Sequence, residues 1–242
     1  MPRPEEIAAE AHRLLAAAVD PVFGEGQRNF FKHEVNTWGV RSEALRGIAK
    51  NLAPLVKPLP AAQRNRFCAL LWKSGKLEEG ILAVYVYDRF AKRCGVAEFD
   101  LFEKWIDRYV ENWATCDAVC TRLVRASIEN EPSLIARLPA WTASKNRWKR
   151  RAAAVSLVWE GRRGRHTAEI FGIADRLLGD EDDMVRKGVG WMLKDAFPSK
   201  PKELTSYWEK NAARVPALVL RLASEKMPGP LAERLRKLRI GV

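Results

Sequence analysis

What most constrains this chain is a recurrence. Four helix-like segments, 76–90, 112–126, 147–159 and 183–196, begin about 36 residues apart. Self-similarity at such a period belongs to proteins built from stacked supersecondary units. Laid in one register, the segments put Trp113 at the second position, Arg151 at the fifth, Asp117 at the sixth and Trp191 at the ninth. Steps of three and four residues run along one side of an α-helix. One acid, one guanidinium and two indoles from three neighbouring repeats are therefore expected on one wall.

The rest of the chain is read the same way. Alternating β-branched runs are rare, and apolar residues recur at helical spacing. Proline and glycine cut the chain into about a dozen helices of roughly 10–16 residues. Short connections favour antiparallel neighbours, so the helices pair into hairpins. The expected fold class is all-α: a curved α-solenoid of about six HEAT-like hairpins, forming a single domain over residues 1–242, with second helices lining a basic concave face. Asn112 is placed to cap the helix that carries Trp113 and Asp117. Pro132 sits where a following helix can begin. The C-terminal segment KMPGPLAERLRKLRIGV reads as a break followed by a basic capping helix.

Hydrophobic residues make up 47% of 242, enough for a sizeable core. No apolar run approaches the roughly 20 residues of a membrane span. The N-terminus lacks the basic region, long apolar stretch and cleavage site of a secretory signal and reads as a first helix. Lys and Arg total 42 against 30 acids, a net charge of +12. That balance points to a polyanionic partner or, more plainly, to solubility. The four cysteines show no secreted disulfide pattern, which fits a reducing compartment. Cys116 and Cys120 are four apart while His12, His33 and His166 are scattered, so no metal site is expected and the two thiols read as gap fillers between helices.

The basic residues have two readings throughout, phosphate contact or solvated surface. Within the aligned segments Arg150, Arg151, Arg186, Lys187 and Lys194 fall near the side of the acid and indoles, and Lys145, Arg147 and Lys149 cluster just upstream. The stretch GRRGRHT adds Arg162, Arg163 and Arg165 in a flexible turn where glycine permits close backbone approach. Nearer the N-terminus, Arg41 and Arg46 flank a helix start with Ser42 as cap and Glu43 in the first turn. A helix start is a natural phosphate site or simply a structural one. Trp38, Trp72, Trp105, Trp141, Trp148, Trp159 and Trp208 read as packing residues.

At Trp113-x-x-x-Asp117, Trp148-x-x-Arg151-Ala-Ala and Gly190-Trp191-x-Leu193, the chain resembles the AlkD-like family of DNA alkylation repair glycosylases. The resemblance runs from FFKHEVNTWGVR to about residue 225. It implies a HEAT-like-repeat enzyme, without cofactor, that excises positively charged N3- and N7-alkylated purines (3-methyladenine, 7-methylguanine) from duplex DNA. By the same resemblance Asp117 is the catalytic carboxylate, Trp113 and Trp191 pack against the deoxyribose and backbone, and Arg151 grips phosphate near the lesion. The base is left largely in the duplex rather than flipped into a pocket. A monomer in the bacterial cytoplasm, on the nucleoid when bound to DNA, is the expected setting. The chain departs from the pattern at Ala114, where an acid follows the first Trp, and at Phe30, where a tyrosine stands.

The chemistry such a reaction needs matches these residue types. A cationic alkylpurine is already a good leaving group, so no acid is needed to protonate it. Breaking its bond builds positive charge on the sugar, which a nearby carboxylate stabilises while it orients water. A guanidinium beside Asp117 favours its ionised form, and indole faces attract polarised C–H groups. Two readings compete with the enzyme: a non-catalytic HEAT-like module for duplex or branched DNA, which Ala114 and Phe30 favour, and a protein-interaction scaffold. No glycine-rich hairpin precedes Asp117, which sets the chain apart from helix-hairpin-helix glycosylases.

Overall fold

The computed structural model describes residues 2–31 and 34–240. His33 and Lys32 lie outside them, so the motif reading that crosses these two positions has no structural counterpart. Every described element is helical, and the fold is an all-α solenoid. No described helix is long and apolar enough to cross a membrane. The chain divides into two compact units, 1–94 and 95–242.

The first unit holds α1 (Pro4–Ala17), α2 (Pro21–Phe30), α3 (Ser42–Val56), α4 (Ala61–Lys73) and α5 (Leu77–Tyr87). Leu45, Ile48 and Leu52 on α3, Phe67 and Leu71 on α4, and Leu82 and Val86 on α5 recur at helical spacing and are buried. Each such side chain contributes about 1.5–3 kcal/mol by leaving water. Two buried acids at the start of α5 organise the loop before α3. Glu78 accepts from the Thr37 hydroxyl (2.6 Å) and from the backbone N–H groups of Trp38 (2.9 Å), Gly39 (2.9 Å) and Val40 (3.1 Å). Glu79 accepts from the Trp38 indole and from His12. Gly39 has φ +80, and a Cβ there would lie 2.8 Å from the Gly24 Cα, so the loop and α2 meet only through glycine. The expectation that Ser42 caps α3 is corrected here: Ser42 is already helical, and Arg41, whose guanidinium is drawn to Asp20, stands before it without a side-chain cap.

The second unit holds α6 (Val96–Tyr109), α7 (Trp113–Ala118), a π-helix (Val119–Val124), α8 (Arg125–Asn130), α9 (Leu138–Trp141), α10 (Arg147–Val155), α11 (Val158–Arg162), α12 (Thr167–Leu177), α13 (Asp183–Ala196), α14 (Pro201–Asn211), α15 (Ala217–Ala223) and α16 (Gly229–Ile240). A 3₁₀ turn begins at Pro132, and another, Ser224–Lys226, precedes the basic last helix. The recurring segments of the sequence become α5, α7, α10 and α13. The three in this unit begin after capping side chains. Asn112 accepts from the Thr115 N–H (2.9 Å), Asn146 from Trp148 (2.9 Å) and Asp182 from Met184 (2.7 Å). Such caps are worth about 1 kcal/mol each. Within the unit α13 packs between α10 and α15. The four cysteines are free and buried.

Candidate active site

Asp117 and Trp113 stand four residues apart on α7, one above the other on a single face. Asn112 fixes where that helix starts and hence which way the face looks. Directly after Asp117 the helix widens into the π segment, where the Thr121 hydroxyl donates to the Asp117 carbonyl (2.6 Å) and Arg125 to the Thr121 carbonyl (2.8 Å). Single π turns inside α-helices recur at functional sites.

Arg151, on α10, meets Asp117 with a fork. Its Nε donates to Oδ1 and its Nη2 to Oδ2, both at 2.8 Å. The remaining Nη1 donates to the Met184 carbonyl in the first turn of α13 (2.5 Å). The resemblance implied an open phosphate grip at Arg151; instead its side chain is only 6% exposed and every nitrogen is engaged, whereas Asp117 keeps 16% of its side chain open. Burial pushes the Asp117 carboxyl above the ordinary aspartate value, against the pull of the Arg151 charge and hydrogen bonds. Burial also works against the Arg151 charge, but the facing carboxylate outweighs it and holds the guanidinium more firmly protonated than usual.

The third element, α13, reaches this pair through glycine. A Cβ at Gly188 would lie 3.2 Å from Arg151 Cγ and 3.4 Å from Val155 Cγ2. Met184, Gly188 and Trp191 follow at steps of four and three, so the face that binds Arg151 also carries Trp191. On the opposite flank a Cβ at Gly190 would come within 2.9 Å of Leu222 Cβ on α15. The structure therefore joins Asp117 and Arg151 directly and sets Trp113 and Trp191 one turn away from them on α7 and α13, each partly exposed. A second carboxylate, Asp195, lies one turn beyond Trp191 and accepts from its indole N–H (2.8 Å), but it is 1% exposed and closed to any substrate. Among the described residues no three His, Cys, Asp or Glu side chains are grouped to hold a metal.

The expected phosphate contacts separate into two classes. Arg150 is committed: it clasps Asp180 through two nitrogens (2.6 and 3.1 Å) and donates to the Ser144 and Lys145 carbonyls. Lys149 reaches Asp107 (2.6 Å) and Glu103 (2.9 Å). Arg162 binds Asp195 (2.9 Å), Arg163 pairs with Glu129, Arg165 with Glu160 (3.2 Å), Lys194 with Glu225 (2.9 Å) and, in the first unit, Arg41 with Asp20 (2.8 Å). Lys187, partly exposed on α13, and Arg46, exposed on α3, have no ion-pair partner among the described residues. The turn 162–166 is closed rather than loose: Gly164 donates to the Gly161 carbonyl and Arg165 to that of Glu160, with Gly164 and His166 at positive φ.

Sequence reading missed Gly188, Asp195, Lys226, which also binds Asp195, and the π segment. Gly188 carried a signal, since glycine inside a helix costs up to about 1 kcal/mol relative to alanine and implies a packing reason. Phe30, the departure from the family pattern, is 70% exposed at the end of α2. The packing residues Trp72, Trp105, Trp141, Trp148 and Trp208 are buried. Trp38 and Trp159 are only partly so, and each lies against a cation, Lys76 over Trp38 (4.7 Å) and Arg162 over Trp159 (4.7 Å).

A protein solved as a predicted DNA alkylation repair enzyme from Enterococcus faecalis has the same fold. The TM-score is 0.78 over 87% of this chain and 97% of that one, at 14% sequence identity. No curated protein matches the chain. The family model described as DNA alkylation repair enzyme matches residues 11–227, which contain the caps, the Asp117–Arg151 pair and both indoles, and the chain belongs to that family.

Proposed function

We propose that the protein is a monofunctional DNA glycosylase that hydrolyses the N-glycosidic bond of N3- and N7-alkylated purines in duplex DNA, working from the sugar side with the base left largely stacked. The observation that carries this reading is the ionic pairing of one partly open carboxylate, Asp117, with a guanidinium that forks onto both its oxygens. When the bond between C1′ and the base nitrogen breaks, its electron pair neutralises the cationic purine and the positive charge passes to the deoxyribose. A carboxylate held beside that carbon stabilises the charge and orients the water that adds to it, and the water's proton leaves to Asp117 or solvent. Arg151 acts through Asp117, keeping it ionised and fixing its plane, while the faces of Trp113 and Trp191 pack on the sugar and backbone.

Phosphate contacts fall first to Lys187 and Arg46. Arg41 and Arg163 lie in exposed pairs that exchange an acid for a phosphate at small cost, whereas the Glu160 partner of Arg165 is buried and holds its arginine more firmly. Asp117→Asn tests the reading, because the amide keeps an acceptor for Arg151 while losing the charge. Release of 7-methylguanine or 3-methyladenine should fall on the order of 10²–10³-fold or more with DNA affinity largely retained. Full activity in the variant refutes the assignment, and a wild-type chain that binds DNA without releasing base leaves the non-catalytic module as the better reading.

A further inference from the structure

The excision reading requires the Trp191 ring to face the sugar, and nothing so far explains what sets its rotation. The ring is partly exposed. Its one polar handle is spent on Asp195, at 2.8 Å to Oδ2, one helical turn onward. That acid is 1% exposed and is met by two cations from two other elements. Arg162, at the end of α11, donates from Nε (2.9 Å) and approaches with Nη2 (2.7 Å) on the same oxygen as the indole, and Lys226, in the Ser224–Lys226 turn, binds Oδ1. Burial alone would raise the Asp195 carboxyl, but the Lys226 and Arg162 donors outweigh it and hold it below the ordinary aspartate value.

A staple between helices would need only one cation. Here two cations serve one acid, leaving a net positive charge beside the ring, and both stay about two-fifths exposed. With Oδ1 taken by Lys226, the carboxylate plane is fixed, and with it the direction in which Oδ2 receives the indole N–H. We propose that Asp195 is the positioning residue of Trp191: it locks the indole plane for the sugar and seats Arg162 and Lys226 beside it as a cationic rim for the DNA backbone. This rests on the glycosylase reading for its purpose, though not for its geometry.

The test combines kinetics with the indole N–H signals of the nine tryptophans. The signal lost in Trp191→Phe identifies Trp191. In the wild type that N–H should exchange with solvent far more slowly than a free indole. In Asp195→Asn the signal should shift and its exchange quicken. Asp195→Asn should slow single-turnover release of 7-methylguanine at saturating protein about tenfold, the low end for one lost hydrogen bond to a charged group. Since both changes act on one ring, Trp191→Phe/Asp195→Asn should be no slower than Trp191→Phe alone. Rates that multiply in the double variant, an unshifted signal, or free-indole exchange in the wild type overturns the proposal. The exchange measurement needs no variant to fold except the one that identifies the signal. A wild type that releases no base refutes the glycosylase reading instead, while the exchange rate and the shift still decide whether Asp195 holds the ring.

Discussion

Replacing Arg151 with methionine isolates the ion pair on which the site is built. Methionine keeps an unbranched apolar stem of similar reach and removes every donor. Asp117 then keeps its burial and loses its bidentate partner, and the Met184 carbonyl loses a donor as well. Breaking a buried pair by removing one member costs about 3–5 kcal/mol. The 16% of the Asp117 side chain that stays open admits water, which places the loss near the low end, about 3 kcal/mol. For a chain of this size each kcal/mol moves the thermal midpoint by about 2–4 °C, so a fall of about 6–12 °C is expected. Asp117 escapes part of that cost by taking up a proton, because burial already raises its pKa and the guanidinium is what opposes the rise. Excision at neutral pH should therefore be lost with the charge, while the slope of DNA affinity against salt stays as in the wild type, since Arg151 faces the acid and not the phosphates. Adding Asp117→Asn should restore part of the stability, because no uncompensated charge remains buried. Urea unfolding of the wild type, both single variants and the double variant, beside a base-release assay, measures all of this. A loss below about 1 kcal/mol, the scale of an exposed salt bridge, or strictly additive losses in the double variant, would refute the buried, coupled pair.

The remaining outcomes follow from the same geometry. Wild-type excision should fall on acidification with a midpoint above the ordinary aspartate value of 3.8, because burial raises Asp117. The sign for stability is opposite: the folded state binds that proton more tightly than the unfolded chain, so this group's contribution to stability rises as pH falls through the window. A pH–rate profile with its acid limb at or below the ordinary value contradicts this. Gly188→Ala places a Cβ 3.2 Å from Arg151 Cγ and should reduce excision by displacing the fork. Gly190→Ala meets Leu222 Cβ at 2.9 Å and should cost about 1–3 kcal/mol through overpacking of α13 against α15; unchanged melting of Gly190→Ala counts against that close approach. Lys187→Ala should reduce the slope of log affinity against log salt by about one phosphate contact. Arg150→Ala should instead destabilise the fold and leave the slope alone, and the reverse result would exchange their roles.

The sequence by itself determined where the recurring helices begin, though not their lengths. The 112–126 segment passes from α7 through the π-helix into α8, the 147–159 segment is divided between α10 and α11, and several helices are shorter than the roughly 10 residues expected. Apolar spacing, proline and glycine breaks and a period near 36 residues reproduce in α5, α7, α10 and α13, which begin at Leu77, Trp113, Arg147 and Asp183. Capping and periodicity act within a turn or two of chain, so they can be read from neighbours in sequence, and Asn112 stands as the cap that its position implied. Tertiary structure alone decided which charge meets which. Arg151 finds Asp117, Arg150 finds Asp180, Lys149 finds Asp107 and Arg162 finds Asp195 at separations of 30 to 42 residues, about one repeat away. Most basic residues that look free for phosphate in one repeat are thus answered by an acid in a neighbouring one, before or after it. The register between stacked helices settles this, through close approaches such as Gly188 on Arg151, and that register depends on how whole faces pack rather than on any local spacing. For the same reason Asp195, unremarked on its own helix, becomes a sealed carboxylate only once α11 and the turn at Lys226 close over it.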